Sequence, residues 1–262
     1  WTLDYASGNR YDLSILDSSC LYANLFETMP AAPGGGDKTY RIRQRWGFST
    51  IGLSQAVAEL PAGYYRVSAA TYRTGKGEVT VFAANSESSA SGELTTVGAW
   101  AETSALCSVD GLEELRLGFA SKHTDEVEMF SGFDNFTLAD VTLNRSASEL
   151  DALLGRMTAA AGLLLEGNIG DAAARAALDE ASKAAAARAA DADKDALIAL
   201  YTPLRDAIAQ ARKTYSGVDS VTVADAELPV YDLSGRRVAD SLEGAVLAPG
   251  VYLQAGRKIF VR

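Results

Sequence analysis

The hydrophobic pattern of this chain changes twice along its length, and the change limits which folds it can adopt. Up to about Val141, apolar and polar residues alternate in short runs, as at 65–72 and 115–119, with glycine and proline between them. Residues two apart share one face of a β-strand, so the alternation indicates strands with one buried face. Many short strands without helical spacing between them predict an antiparallel β-sandwich, or jelly roll, over residues 1–145.

A helical pattern follows in residues 146–216. Apolar residues there recur three and four positions apart in three stripes, which predicts a three-helix antiparallel bundle. Ser146 and Glu149 have the spacing of a capping box, and Gly167 is expected to end the first helix. Pro203 is expected to kink the third helix or to begin a new segment.

The strand pattern returns in residues 217–262, with apolar runs at 229–233 and 251–253. About 45 residues give a small core, so this all-β module is expected to dock on a neighbour or to belong to a larger unit. The fold class predicted for the whole chain is therefore multidomain α+β: a sandwich, a helical spacer and a small C-terminal β-module.

Charge and composition exclude several kinds of partner. The net charge is −10 and the isoelectric point is about 4.7, which argues against binding to nucleic acid phosphates. The sequence contains no apolar run of about 18 residues, so we expect no membrane-spanning segment. It opens at Trp1, and we expect a mature or trimmed fragment.

The sequence gives catalysis little support. Its single histidine, His123, lies in a polar stretch without a nucleophile-elbow or Cys-His motif, and we expect it in an exposed loop. We therefore predict that the chain is not an enzyme. Cys20 and Cys107 either pair in an oxidising compartment or stay free and buried, and the sequence leaves both possibilities open.

Four passages of the first zone resemble galactose-binding-like carbohydrate-binding modules in their order. They are the strand–turn–strand run at 55–73, Trp100, LRLGF at 115–119 and FDNFTL at 133–138. The resemblance implies a non-catalytic sandwich with a glycan or polysaccharide partner. It also implies a structural calcium ion, with Asp134 as the metal ligand.

Sugars are held by aromatic rings that stack on their C–H faces and by polar groups that bind their hydroxyls. The candidate ligand-binding residues are Tyr72, Arg73, Trp46, Arg45, Arg43 and Trp100. Arg41, Arg43 and Arg45 share one face of a predicted strand, which favours an acidic glycan. The alternative for the arginines is that they only face solvent, with Trp46 packed in the core. The alternative for Trp100 is that it is a structural residue and not a ligand-binding one.

The last zone resembles the C-terminal sorting-type domain of secreted Bacteroidetes proteins, through VYDLSGRRV at 230–238, APGVYL at 248–253 and the final residues 258–262. That resemblance implies a secreted or outer-cell-surface protein. We therefore expect an exported carbohydrate-binding protein. The alternative is a structural or adhesive surface protein that binds a protein partner or itself.

Overall fold

The structure is a computed structural model, and it describes residues 1–7, 11–16, 29–34, 39–44, 49–86, 88–125, 127–216, 229–232, 236–241, 250–254 and 257–261. The chain forms two compact units. The first contains Trp1–Met157 and Ala189–Tyr201, and the second contains Thr158–Arg188 and Thr202–Arg262.

The first unit contains a sandwich of two five-stranded antiparallel sheets, as the alternating pattern predicts. Its strands are β1 (Thr2–Ser7), β2 (Tyr11–Leu16), β3 (Thr39–Gln44), β4 (Ser49–Val57), β5 (Gly63–Arg73), β6 (Gly77–Ala84), β7 (Ser89–Glu93), β8 (Ala101–Val109), β9 (Leu115–His123) and β10 (Met129–Asp140). The first sheet has the order β1-β4-β9-β6-β7, and the second has the order β2-β3-β10-β5-β8. The prediction of an antiparallel sandwich is confirmed.

The sandwich core lies between the two sheets. One cluster joins Ile42 and Phe133 of the second sheet to Ile51 and Phe119 of the first, and all four are almost fully buried. A second cluster is centred on alternate residues of β5 from Tyr65 to Ala69. Burying one face of each strand in this way supplies the main favourable free energy of folding.

A β-bulge interrupts β10. Asp134 pairs with Ala70 of β5, but the next pair is Thr137 with Ser68, so β10 contains one extra residue. Asn135 at the bulge has a φ of 51°, in the left-handed region that asparagine tolerates better than most residues. The bulge changes which side of the sheet each following residue of β10 faces.

Three helices follow the sandwich, as the apolar stripes predict: α1 (Ala147–Glu166), α2 (Ala172–Ala186) and α3 (Lys194–Thr214). The capping box is present, since Glu149 accepts from the Ser146 backbone N–H at 3.0 Å and Ser146 Oγ accepts from Glu149 N–H at 3.4 Å. α1 ends just before Gly167, as expected. α3 continues through Pro203, so no new segment begins there.

Within the first unit, the sandwich contacts the first turns of α1 and the first half of α3. Tyr201 is buried and donates a hydrogen bond from its hydroxyl to the Ala62 carbonyl at 2.8 Å. Tyr64 donates to the Glu149 carbonyl at 3.2 Å. These helix segments therefore pack directly on the start of β5.

The second unit contains the rest of the helical residues and two small sheets. β11 (Asn168–Ile169) pairs with β12 (Tyr215–Ser216). The C-terminal sheet contains β13 (Val230–Asp232), β14 (Arg237–Ala239), β15 (Gly250–Gln254) and β16 (Arg257–Val261), in the order β14-β13-β15-β16. Strands thus return where the pattern predicts them. The division at 145 and 216 and the sorting function stay predictions.

The expectation of an exposed loop at His123 is wrong. His123 is the last residue of β9, it is 1% exposed, and its Nε2–H donates to the Val127 carbonyl. The alternating pattern of β9 extends through Ser121 to His123 on the buried side, although the letters around it are polar. Cys107 is a buried free thiol, and Cys20 lies outside the described residues.

Candidate functional site

The outward side of the second sheet brings together several predicted ligand-binding residues. Across the sheet, Arg41 of β3 pairs with Gly132 of β10, which pairs with Tyr72 of β5. Residues opposite one another in register share a face, and Ile42 lies in the core, so these three are on the outward side. We call the surface formed by Arg41, Arg43, Tyr72, Trp100 and Phe130 around Gly132 the sheet face.

Trp100 lies directly on the sheet face because residue 132 has no side chain. A Cβ added at Gly132 would come within 2.6 Å of the indole Cη2 atom and within 2.7 Å of the Met29 methyl carbon. The indole Nε1–H donates to the Pro30 carbonyl at 2.9 Å, which fixes the orientation of the ring. Trp100 is nevertheless partly exposed. A ring that is fixed and accessible in this way can stack against a ligand.

Tyr72 is on the predicted face, but its ring is not accessible. It is 3% exposed and packs with Met29, Trp100 and Phe130, with 5.4 Å between the Tyr72 and Trp100 ring centroids. The expectation that Tyr72 itself contacts a ligand is therefore corrected. Tyr72 supports Trp100 from below, and the sequence could not show this because Met29 and Trp100 are distant in the chain.

Arg43 and Arg41 provide positive charge on the sheet face. The Arg43 guanidinium lies 5.8 Å from the centroid of the Phe130 ring and forms an ion pair with Glu128. Burial lowers the pKa of the Arg41 guanidinium, and the nearby Tyr72 hydroxyl acts in the opposite direction. Arginine stays protonated across the physiological range, so both groups are cationic donors.

The remaining candidates lie elsewhere. Arg73 follows Tyr72 in β5 and so lies on the opposite side of the sheet, where its Nη1 donates to the Gly75 carbonyl at 3.2 Å. The grouping of Arg73 with Tyr72 in one site is therefore corrected. Arg45 and Trp46 lie outside the described residues.

Asp134, the predicted calcium ligand, lies at the bulge of β10. Its Oδ1 accepts from the Asn135 backbone N–H at 2.7 Å, and its Oδ2 is buried without a hydrogen-bond partner in the described structure. Calcium takes six to eight oxygen ligands. In the described ranges no group of three or more His, Cys, Asp or Glu residues is placed to hold a metal ion. These residues therefore give calcium no support, and the prediction stays untested.

A second aromatic site, which the sequence did not indicate, opens beside Asp134. A hollow of about 240 Å³ is lined by Trp1, Tyr40, Leu53, Phe119, Phe133, Asp134, Asn135 and Phe136. We call it the aromatic hollow. Leu53, Phe119 and Phe133 are buried and form its floor, whereas Tyr40 and Phe136 are partly exposed and Trp1 is 56% exposed.

The lining residues of the aromatic hollow come from both sheets and from the first residue of the chain. The only local signal for it was the spacing of Phe133 and Phe136. In a regular strand, two residues three positions apart lie on opposite sides of the sheet. They lie on the same side when a bulge stands between them, as it does between Phe133 and Phe136.

Several carbohydrate-binding modules are among the similar solved structures. TmCBM61 in complex with β-1,4-galactotriose has a TM-score of 0.35 and 19% identity, over 52% of this chain and 87% of that one. The CBM22-1 xylan-binding domain of Paenibacillus barcinonensis Xyn10C has a TM-score of 0.33 and 11% identity, over 53% and 85%. The family 11 module from Clostridium thermocellum, in complex with a β-1,3-1,4-mixed-linked tetrasaccharide, has a TM-score of 0.33 and 8% identity, over 52% and 86%.

These similarities are low, and they concern the jelly-roll sandwich alone. No protein-family model matches the sequence, and no curated protein matches it either. In the part of the chain that the structure describes, no helix is long and apolar enough to cross a membrane.

Proposed function

We propose that this chain is a non-catalytic carbohydrate-binding protein and that its sheet face holds the sugar. The observation that carries the proposal is the position of Trp100. Its indole lies against Gly132, is held by the hydrogen bond to Pro30, and stays partly exposed. A rigid aromatic surface loses little conformational entropy when a pyranose ring stacks on it.

The charge of the sheet face favours a glycan with acidic groups. Arg41 and Arg43 lie on the sheet face together with Trp100. The net charge of the whole protein, by contrast, is −10. Guanidinium groups bind carboxylates and sulfates through paired hydrogen bonds. Arg43 already pairs with Glu128, so a preference for uronic or sulfated sugars over neutral ones would depend on Arg41.

An array of neutral and acidic polysaccharides, probed with the full 262-residue chain, tests this function. We expect saturable binding that is strongest for acidic glycans and is lost in Trp100→Ala. Val97→Ala is the matched control, because Val97 is 55% exposed and lies three residues before Trp100. Wild-type binding to no glycan, or equal binding by Trp100→Ala and wild type, would contradict the proposal.

We further propose that the protein acts outside the cell or on its outer surface. The support is the resemblance of residues 230–238 and 248–253 to a secretion-sorting domain. Fractionation of cells that produce the natural gene product would test it, and protein found only in the cytoplasm would contradict it.

A further inference from the structure

We propose that the sheet face binds the end of a glycan chain and not its middle, because residues 29–34 close one side of it. The site is the one proposed above for carbohydrate, so the chain-end preference rests on that function. We call residues 29–34, with the sequence MPAAPG, the strap. The strap lies on the same side of the second sheet as Trp100.

Three contacts hold the strap on the sheet. The Met29 side chain is buried and packs against the aromatic rings of the sheet face. The Pro30 carbonyl accepts from the Trp100 indole N–H at 2.9 Å. The Pro33 carbonyl accepts from the side-chain amide of Asn135. Because each proline fixes its own φ, the strap has little freedom to move between these contacts.

The strap covers β10 from Gly132 to Asn135. The Met29 methyl carbon lies 2.7 Å from the position that a Cβ would take at Gly132, and Asn135 holds the other end of the strap. Asp134 lies between these two contacts, on the same side of β10 as Gly132, and its Oδ2 is buried. A glycan chain therefore cannot lie on this stretch of the sheet while the strap is in place.

The sheet face is accessible in the opposite direction along the strands. Phe130 of β10 pairs with Arg43 of β3 on the other side of Gly132, and both residues are partly exposed. A sugar that stacks on Trp100 can continue over this pair but not over the strap. A surface that is closed on one side and accessible on the other has the form of a site for the terminus of a chain.

The composition of the strap makes it a barrier and not a further sugar contact. Its side chains are those of methionine, proline, alanine and glycine, which include no hydrogen-bond donor and no aromatic ring. Pro30, Ala31, Pro33 and Gly34 are exposed, so the outer surface of the strap meets solvent. Sugar hydroxyls placed against this surface would lose water and find no side-chain donor, which is unfavourable.

Isothermal titration calorimetry of the full chain tests the preference, with the polysaccharide that binds best on the array used intact and after partial acid hydrolysis. A site that takes one terminus binds in proportion to the number of ends, so chains cut to about one fifth of their length should bind about fivefold more protein per gram at saturation. Equal capacity per gram would overturn the chain-end preference and leave sugar binding standing. No binding to either sample would contradict the carbohydrate function as well.

Variants of the strap test its role. Met29→Ala removes the buried anchor, so we expect the middle of a chain to bind as well and the capacity per gram to be the same before and after hydrolysis. Ala31→Ser changes an exposed strap residue and is the matched control, which should keep the wild-type increase. If Met29→Ala does not fold, Asn135→Gly replaces it, because it releases the other end of the strap. An increase in the anchor variant equal to that of the wild type would overturn the role of the strap.

Discussion

The sheet face and the aromatic hollow lie on opposite sides of β10, and both are rich in aromatic side chains. They differ in how the rings are held and in the charge beside them. On the sheet face, Trp100 lies on a glycine with Arg41 and Arg43 nearby. In the hollow, inclined rings from both sheets line a space whose floor is formed by the buried side chains of Leu53, Phe119 and Phe133. Aromatic residues alone therefore do not define a ligand, since ring angle and local charge select it.

The largest expected difference between the two regions is in stability. Phe119 is 3% exposed and stacks on Phe133 at 4.0 Å, so Phe119→Ala should lower the free energy of unfolding by about 3–5 kcal/mol. Trp100 is partly exposed, so Trp100→Ala should lower the free energy of unfolding by only about 1–2 kcal/mol. Urea unfolding of both variants measures this. Equal losses would show that Trp100 is a core residue and not a binding surface.

Gly132→Ala is the next test, because it changes the sheet face without removing a ring. The nearest atoms to the added Cβ would be the outer edge of the Trp100 indole and the Met29 methyl carbon, so we expect the chain to fold and the indole to be displaced from the sheet face. Glycan affinity should fall about tenfold. Gly162→Ala is the control, since a Cβ there meets nothing within 4 Å. Unchanged glycan affinity would show that the position of the ring on Gly132 is not needed.

The hydroxyl of Tyr40, one of the residues that line the hollow, reports on how far this side chain is shielded from water. Its pKa is raised from 10.0 to about 12 by burial, so the folded state keeps the proton longer than the unfolded state. The stability that this group contributes is complete below about pH 10 and is lost between about pH 10 and 12. Ultraviolet titration of tyrosinate in the wild type and in Tyr40→Phe isolates this group. A pKa of 10 would show that the Tyr40 hydroxyl is not shielded from water.

The smallest expected effect concerns the bulge that separates the two regions. Asn135 adopts a φ of 51°, where a glycine has no steric penalty and an alanine does. The free energy of unfolding of Asn135→Ala should therefore be about 1 kcal/mol lower than that of Asn135→Gly. Both variants lose the hydrogen bond to the Pro33 carbonyl. Thermal unfolding of the pair measures this. Equal stability would mean that the bulge is not strained.

Patterns that are local in the sequence predicted the structure well. The alternation in β5 predicted a strand with Tyr65, Val67 and Ala69 buried, and all three are in the core. Ser146 and Glu149 predicted the start of α1, because a capping box needs only residues three apart.

The sites depend on contacts between distant residues, which a single sequence does not show. Tyr72 was placed on the correct side of β5, but Met29 and Trp100 cover it from positions 43 and 28 residues away. The aromatic hollow needs Trp1 and Phe136 together, and only the folded sandwich brings them within 4.8 Å.

The most direct test of the central claim is a titration of the ¹⁵N-labelled full chain with the glycan that binds best on the array. The account predicts that the indole signal of Trp100 shifts saturably while that of Trp1 stays in place. A shift of Trp1 with Trp100 unchanged would contradict it, because the sugar would then bind in the aromatic hollow and not on the sheet face.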